Sequence, residues 1–303
     1  MDTTNKLSTF INEDIAYFLG LVIGRGVIIR NNDSSKLTID FPYKNLITQS
    51  PIDENKKYDT HLHISNSVDG IVSRLRNLGL RVDKQSEENK CITLVIEFKN
   101  NDLSFQFIKY LINGDHIDYH SFRIPKAIFL SDKEIKKEFI RGYFDVTGHI
   151  RKSNCAYGQN NQNRVYLEVD HRNWYLVLDL VKLLNKISIP IQSIDFGHPN
   201  FRDPDSVKKS GFWAKEHQVK IYANQFIKIG SYIKHKQETL KEFAGLNRQN
   251  IGNEIGNYRI TAKPEHPEEN SDKLPSYIKG FHFDHYSQLL KRLERADDIK
   301  NYE

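Results

Sequence analysis

Apolar and polar positions along this chain fall into one order, and they do so twice. Ala16–Ile28 and Phe139–Ile150 are each an apolar stretch around a glycine, Gly20 in the first and Gly142 in the second, and each passes straight into a short β-like run. After the first stretch, alternation predicts strands at Val27–Arg30 and Lys36–Phe41, separated by the turn residues Asn31–Ser35. His61–Ser65 reads as another short strand. Asn66 is placed to cap a helix running to Leu78, with Val68, Ile71, Val72, Leu75 and Leu78 at helical spacing and Gly79 at its end. Cys91–Phe98 reads as strand and Leu103–Ile112 as helix, ended by Asn113 and Gly114.

The second stretch opens the same order again. Ser131 and Glu134 fit a capping box for the helix that carries it. Strands at Gly148–Ser153 and Val165–Asp170 flank a polar loop. Asn173 is placed to cap a helix with Leu176, Val177, Leu180, Val181 and Leu184 as its buried face. Ile191–Phe196 and Gln218–Tyr222 add strand, and Phe226–Leu240 adds a closing helix. Each half therefore reads αββαββα, which predicts an α+β fold: a pseudo-twofold pair of units with two antiparallel sheets. The halves are drawn at 1–120 and 121–245. Residues 246–303 break the pattern as a loop-rich extension, in which a short amphipathic helix is expected near Tyr286–Arg295.

Hydrophobic residues make up 38% and charged residues 27% of the 303, a balance that fits two soluble domains of ordinary size. No apolar run approaches the roughly 20 residues of a membrane span, so no membrane partner is expected. The N-terminus lacks a basic segment followed by an apolar core, which points to a cytoplasmic, nucleoid-associated protein. Cys91 and Cys155 are too few for a disulfide framework or a zinc site. The net charge of +5 is carried by the residues before Ala244, the remainder being close to neutral. That excess permits a polyanionic partner without requiring one.

The two stretches resemble the motifs of the LAGLIDADG homing endonucleases in their monomeric, two-motif form. The resemblance spans about Asn12 to Phe243. It rests on both stretches, on the order of elements in each half, and on Arg123-Ile124-Pro125-Lys126 ahead of the second motif. It implies that the motif helices meet at the centre through Gly20, Gly24 and Gly142, where small residues admit close backbone approach. It also implies a monomer whose two sheets face double-stranded DNA. In that family the last acid of each motif, just before the closing glycine, binds the divalent metal of cleavage.

Arg25 and Thr147 stand at those two places here. A permanent cation repels Mg²⁺ and a neutral hydroxyl is a weak ligand. No metal and no cofactor is therefore expected, Mg²⁺ entering only if some cleavage is retained. Asp145 survives at an earlier acidic position that is mainly structural in the family, and Ile23 is its counterpart in the first motif. Asp145 is the one catalytic candidate of the motifs.

Major-groove reading calls for polar side chains alternating along strands. Alternation puts Ile28, Arg30, Lys36, Thr38 and Asp40 on outer faces in the first half, and His149, Arg151, Ser153, Arg164, Tyr166 and Glu168 in the second. The amide-rich loop Asn154–Asn163, a loop with Asn200, Arg202, Lys208 and Lys209, and then Lys215, Gln218 and Lys220 extend that surface. The DNA-binding candidates are Arg25, Arg30, Lys36, Thr38, His149, Arg151, Arg164, Tyr166, Arg202 and Lys220. A solvated face of any open antiparallel sheet carries a similar alternation. Arg25 keeps two readings, a contact to central phosphates and a surface or interface Arg paired with Asp145.

Two further sets carry chemistry. Asp83 with Glu97-Phe98-Lys99 loosely matches the acid and Glu-x-Lys pattern of another nuclease class. His149, His198, Glu216 and His217 form a second polar set. The leading expectation is sequence-specific binding of double-stranded DNA with the usual cleavage site dismantled. A diverged metal-dependent endonuclease with a non-standard acid set is one alternative. An RNA-binding intron maturase, with structured RNA as partner, is the other.

Overall fold

The computed structural model describes residues 10–46, 60–87, 90–112, 117–151, 163–199, 215–247, 282–283 and 288. In the first half, α1 (Glu13–Arg25) leads into β1 (Gly26–Arg30), β2 (Ser34–Pro42), the single turn α2 (Tyr43–Leu46), α3 (Thr60–Asn77), β3 (Val82–Glu87), β4 (Cys91–Lys99) and α4 (Leu103–Leu111). The second half begins with α5 (Lys126–Leu130) and α6 (Lys133–Thr147), followed by β5 (His149–Arg151), β6 (Arg164–Asp170) and α7 (Trp174–Lys186). It ends with β7 (Ser193–Pro199), β8 (Lys215–Tyr222), α8 (Ala223–Phe226) and α9 (Lys234–Leu246). A two-residue strand, β9 (His282–Phe283), comes from the C-terminal segment. No helix among the described residues is long and apolar enough to cross a membrane.

The strand order is β1-β2-β4-β3 in one sheet and β5-β6-β8-β7-β9 in the other. All pairs are antiparallel, and β9 apart, the two orders are the same. The α+β architecture of two repeated antiparallel units is thus the one the hydrophobic pattern predicts.

Local chemistry explains the two central helices. The Asn12 side chain accepts from the Ile15 amide at 2.9 Å, and the Asp132 side chain accepts from the Ile135 amide at 2.9 Å, so each helix has a capped start. Gly26 and Gly148 close the helices in extended conformation and carry the chain directly into a hairpin. Between these ends the helices touch through backbone. A methyl group on Gly20 would sit 2.1 Å from the Phe139 carbonyl oxygen, and one on Gly142 would sit 2.1 Å from that of Tyr17. The two glycines therefore admit each other's helix reciprocally, and no side chain fits at either. At Gly24 the added carbon would meet the Val146 side chain at 2.6 Å.

Several elements depart from the sequence expectation. His61–Ser65 is not a strand, and Asn66 is no cap, because α3 starts at Thr60. Ile64, Val68, Ile71, Val72 and Leu75 are all buried, so the helical period reaches a turn earlier than Asn66. The α6 cap is Asp132, while the Ser131 hydroxyl donates to the Ala127 carbonyl of the preceding turn at 2.8 Å. Asn173 precedes α7 without capping it. Its side-chain amide donates instead to the carbonyls of Tyr119 at 3.0 Å and Phe122 at 2.9 Å. The expected helix Phe226–Leu240 is broken into α8 and α9, where Gly230 adopts φ +77°, a conformation that favours glycine. The expected helix near Tyr286–Arg295 lies outside the described residues except for Gln288, which is helical.

Candidate nucleic-acid interface

The C-terminal ends of α1 and α6 lie side by side and deliver Arg25 and Thr147. Thr147 is buried, and its hydroxyl donates to the Tyr143 carbonyl of its own helix at 2.7 Å. The Asn45 side chain staples the same end, donating to the carbonyls of Val146 at 3.2 Å and Thr147 at 3.1 Å. Arg25 is half-buried, with its guanidinium carbon 5.2 Å from the centre of the Tyr119 ring. Its Nε is buried and has no hydrogen-bond partner among the described residues. Burial pushes the Tyr143 phenol far up, and the Arg25 charge opposes that shift, so Arg25 and the Tyr143 hydroxyl share one neighbourhood. A divalent metal does not fit at these helix ends, where one side chain is a cation and the other a committed hydroxyl. Among the described residues no group of three His, Cys, Asp or Glu is arranged to hold one.

Asp145 points away from this end and is fully buried. The Tyr17 hydroxyl donates to its Oδ2 at 2.7 Å, the Tyr232 amide donates to the same oxygen at 3.1 Å, and the Ser231 hydroxyl donates to Oδ1. Burial raises its pKa, while the charge of Lys236 and these hydrogen bonds work against the rise. Lys236 is buried as well, its ammonium donating to the Phe144 carbonyl at 2.6 Å. The break at Gly230 between α8 and α9 is what brings Ser231 and Tyr232 to this carboxylate. Asp145 is therefore not paired with Arg25, which overturns the reading of that arginine as its partner.

The outer face of the first sheet follows from its register. Lys36 stands across from Ile29 and Glu97, Thr38 from Val27 and Val95, and Asp40 from Thr93. Asp83, Gln85 and Glu87 extend the face along β3. Ile28 is not part of it, being buried in the core across from Leu37, and Arg30 shares that inward parity at the exposed end of β1. The Thr93 hydroxyl holds Asp40 at 2.7 Å. Along these strands the cations Lys36 and Lys99 stand against Asp40, Asp83, Glu87 and Glu97, so the face is net acidic. Asp83, Glu97 and Lys99 do come together, lining a cleft of about 820 Å³ with Arg76, Arg81 and Asp102.

On the second sheet the outer face holds His149, Arg151, Arg164, Tyr166, Glu168, Asp195, Gln218 and Lys220. Tyr166 is its hub. His149 stacks on the ring at 4.7 Å, and the Lys220 ammonium and Arg151 guanidinium lie 5.5 Å and 5.8 Å from its centre. His149 Nδ1 is 2.9 Å from Glu168 Oε1, Lys220 pairs with Asp195, and Gln218 donates to Glu216 at 2.9 Å. Most of this polar face is buried within the chain. His149 is 3% exposed, Glu168 2% and Gln218 2%, where alternation alone led to an open surface. His217 lies on the opposite, core face against Phe196, so it does not join His149 and Glu216 in one site. Arg202, Lys208, Lys209, Asn200, Ser153 and most of the Asn154–Asn163 loop lie outside the described residues.

Sequence reading missed the segment that joins the halves. The Tyr119 amide donates to the Gly26 carbonyl at 2.9 Å and the Ile28 amide to the Ile117 carbonyl at 2.6 Å, so residues 117–119 run beside β1. This sets Tyr119 under Arg25 and brings His120 Nδ1 to 3.1 Å from Asp170 Oδ2. Burial raises the Asp170 pKa, but the side-chain and backbone hydrogen bonds from Arg172, with the charges of His120 and His171, bring it down to about 2. Burial lowers the pKa of His120. The Asp118–His120–Asp170–Arg172 spacing carries no local signature that could have revealed this cluster.

No family model matches the chain. Probable translation initiation factor IF-2 of Methanocaldococcus jannaschii is 24% identical over 251 residues, covering 78% of this chain and 20% of that protein. The chain thus spans about one-fifth of the length of that relative. Full-length DUF199/WhiA from Thermatoga maritima matches with a TM-score of 0.41 at 13% identity, over 79% of this chain and 62% of that one. The LAGLIDADG homing endonuclease I-GzeII, in complex with its DNA target, matches with a TM-score of 0.34 at 11% identity, over 77% of this chain and 87% of that one. At such scores the architecture rests on the chain's own strand registers and helix contacts.

Proposed function

We propose that this chain is a LAGLIDADG-like protein that recognises double-stranded DNA, with the motif site for metal-dependent cleavage dismantled. The observation that carries the reading is the pair of helix ends: helices locked at Gly20 and Gly142 deliver Arg25 and Thr147, and neither can hold a divalent cation. Arg25 suits a phosphate instead, since its buried Nε has no partner among the described residues and a guanidinium takes phosphate oxygens in pairs. Asp145, buried among its donors, serves the fold. The acidic outer face of the first sheet disfavours backbone contact, though carboxylates there can accept from cytosine amines. The second face must open before a groove can meet it.

Selection of bound duplexes from a random pool, followed by Mg²⁺-dependent cleavage of the winner, tests this reading. Selective binding without cleavage supports it. Failure to enrich any duplex, or tighter binding of structured RNA at matched salt, sinks it in favour of the maturase reading. A second reading, a diverged endonuclease, is favoured by Asp170, an ionised carboxylate beside His120 near the motif helix ends. Cleavage that Asp170→Asn abolishes and Asp145→Asn leaves intact would put that reading in place of the first.

A further inference from the structure

The two sheets dispose of their outer polar side chains in opposite ways. On the second they are turned in on one another: Glu168 lies 2.9 Å from His149, Lys220 pairs with Asp195, and Gln218 donates to Glu216. All of these are buried, so none meets a base edge while the face stays closed. On the first sheet Asp83, Gln85, Glu97 and Lys99 are exposed and Lys36 is half-buried. The side chains of these five have no hydrogen-bond or ion-pair partner among the described residues. Lys36 and Glu97 stand directly across from each other and still do not pair. The Thr93 hydroxyl holds only Oδ1 of Asp40, leaving Oδ2 open among the described residues.

Register sets these groups out as an array. Asp83 stands across from Val95, so Asp83 and Glu97 are diagonal neighbours on β3 and β4. Such neighbours lie roughly 7 Å apart, about two base-pair steps at roughly 3.4 Å each. A carboxylate only accepts hydrogen bonds. In the major groove cytosine offers it the N4 amine, whereas guanine presents the acceptors O6 and N7, and adenine sets N7 beside its amine. A carboxylate near phosphates is disfavoured unless it gains such a donor, so it rejects wrong bases as strongly as it accepts the right one. An ammonium only donates, and its preference is the reverse, for guanine.

We propose that the chain reads its duplex from one side: the first sheet supplies the base contacts, with Asp40, Asp83 and Glu97 selecting cytosines and Lys36 guanine. This rests on the reading of the chain as a binder of double-stranded DNA, and adds where in the target the sequence information lies. The second half contributes shape and backbone contact to the other arm.

The test starts from duplexes enriched out of a random pool by the full chain. Each arm of the winning site, taken from the middle of its footprint, is randomised in turn and rebound. Selection is then repeated with Glu97→Gln and with Asp83→Asn, both exposed positions whose substitution should leave melting unchanged. Randomising one arm is expected to be tolerated, and randomising the other to cost about tenfold or more in affinity. Within the sensitive arm each variant is expected to convert a preferred cytosine to adenine, the base that amide side chains take. Equal losses from the two arms overturn this inference, and so do cytosine preferences that both variants leave unchanged, although DNA recognition itself then stands. Failure of the parent to enrich any duplex removes the DNA reading, and this inference with it.

Discussion

On the first sheet Glu97 stands across from Lys36 at the surface, while on the second Lys220 meets Asp195 with each side chain less than a tenth exposed. The two sheets share a strand order, and their corresponding hairpins follow the same kind of helix end. What differs is the environment of the outer face: open and acidic in one half, buried and internally paired in the other. A charge pair in water contributes little because the solvent screens it. A buried pair is costly to break because the survivor keeps its charge without compensation. Repeating a topology therefore does not repeat an environment: Arg164 and Lys220 on the second face are buried, while Lys36 and Lys99 on the first are not.

The largest effect is expected where the halves meet. Gly142→Val should cost about 3 kcal/mol or more, because its side chain has to enter the Tyr17 backbone. A variant that melts within a few degrees of the parent would show that this contact does not join the halves. Next, Asp195→Ala should cost about 3 kcal/mol and Glu97→Ala less than about 0.5 kcal/mol, read from urea midpoints. Equal costs would erase the contrast between the two faces. Removing the residues after Asn247 takes β9 from β7, so β7 amides should exchange faster while those of β3 keep their rates. Unchanged exchange in β7 would mean that β9 does not protect this edge.

The smallest effect is on pH. His120 and His235 both have pKa values lowered by burial, so the unfolded chain takes up their protons first as pH falls. Stability should be full above the ordinary histidine value of about 6.5 and decline below it. His235→Gln should flatten that decline if His235, which binds the Leu46 carbonyl, carries it. Asp170 works in a lower window, its contribution being lost as pH falls from the usual carboxylate range toward about 2.

The legible parts of this molecule are those written in local order. The caps at Asn12 and Asp132 lie near the first turns they satisfy, although the second was expected one residue earlier. The hairpins follow from alternation between turn residues, and α3 needed only Ile64 added to its period. The candidate site was harder to read. Tyr17 and Asp145 are 128 residues apart, and Arg123 grips Asp179 over 56 residues. Neither separation leaves a trace in a local window. Tyr119 and His120 lie in a joining segment whose composition gives no sign that it threads beside β1.

The sequence by itself determined the doubled order, the two glycines at which helices could meet, and the absence of carboxylates at Arg25 and Thr147. These depend on residue type and spacing, which short-range sterics and hydrogen bonding convert directly into structure. Only the tertiary structure decided that Asp145 is sealed among Tyr17, Ser231 and Tyr232, and that Arg25 leans on Tyr119 rather than pairing with Asp145. The tertiary structure also decided that one sheet face is open and the other closed. Alternation tells which side chains share a face, and the rest of the chain decides whether that face meets water.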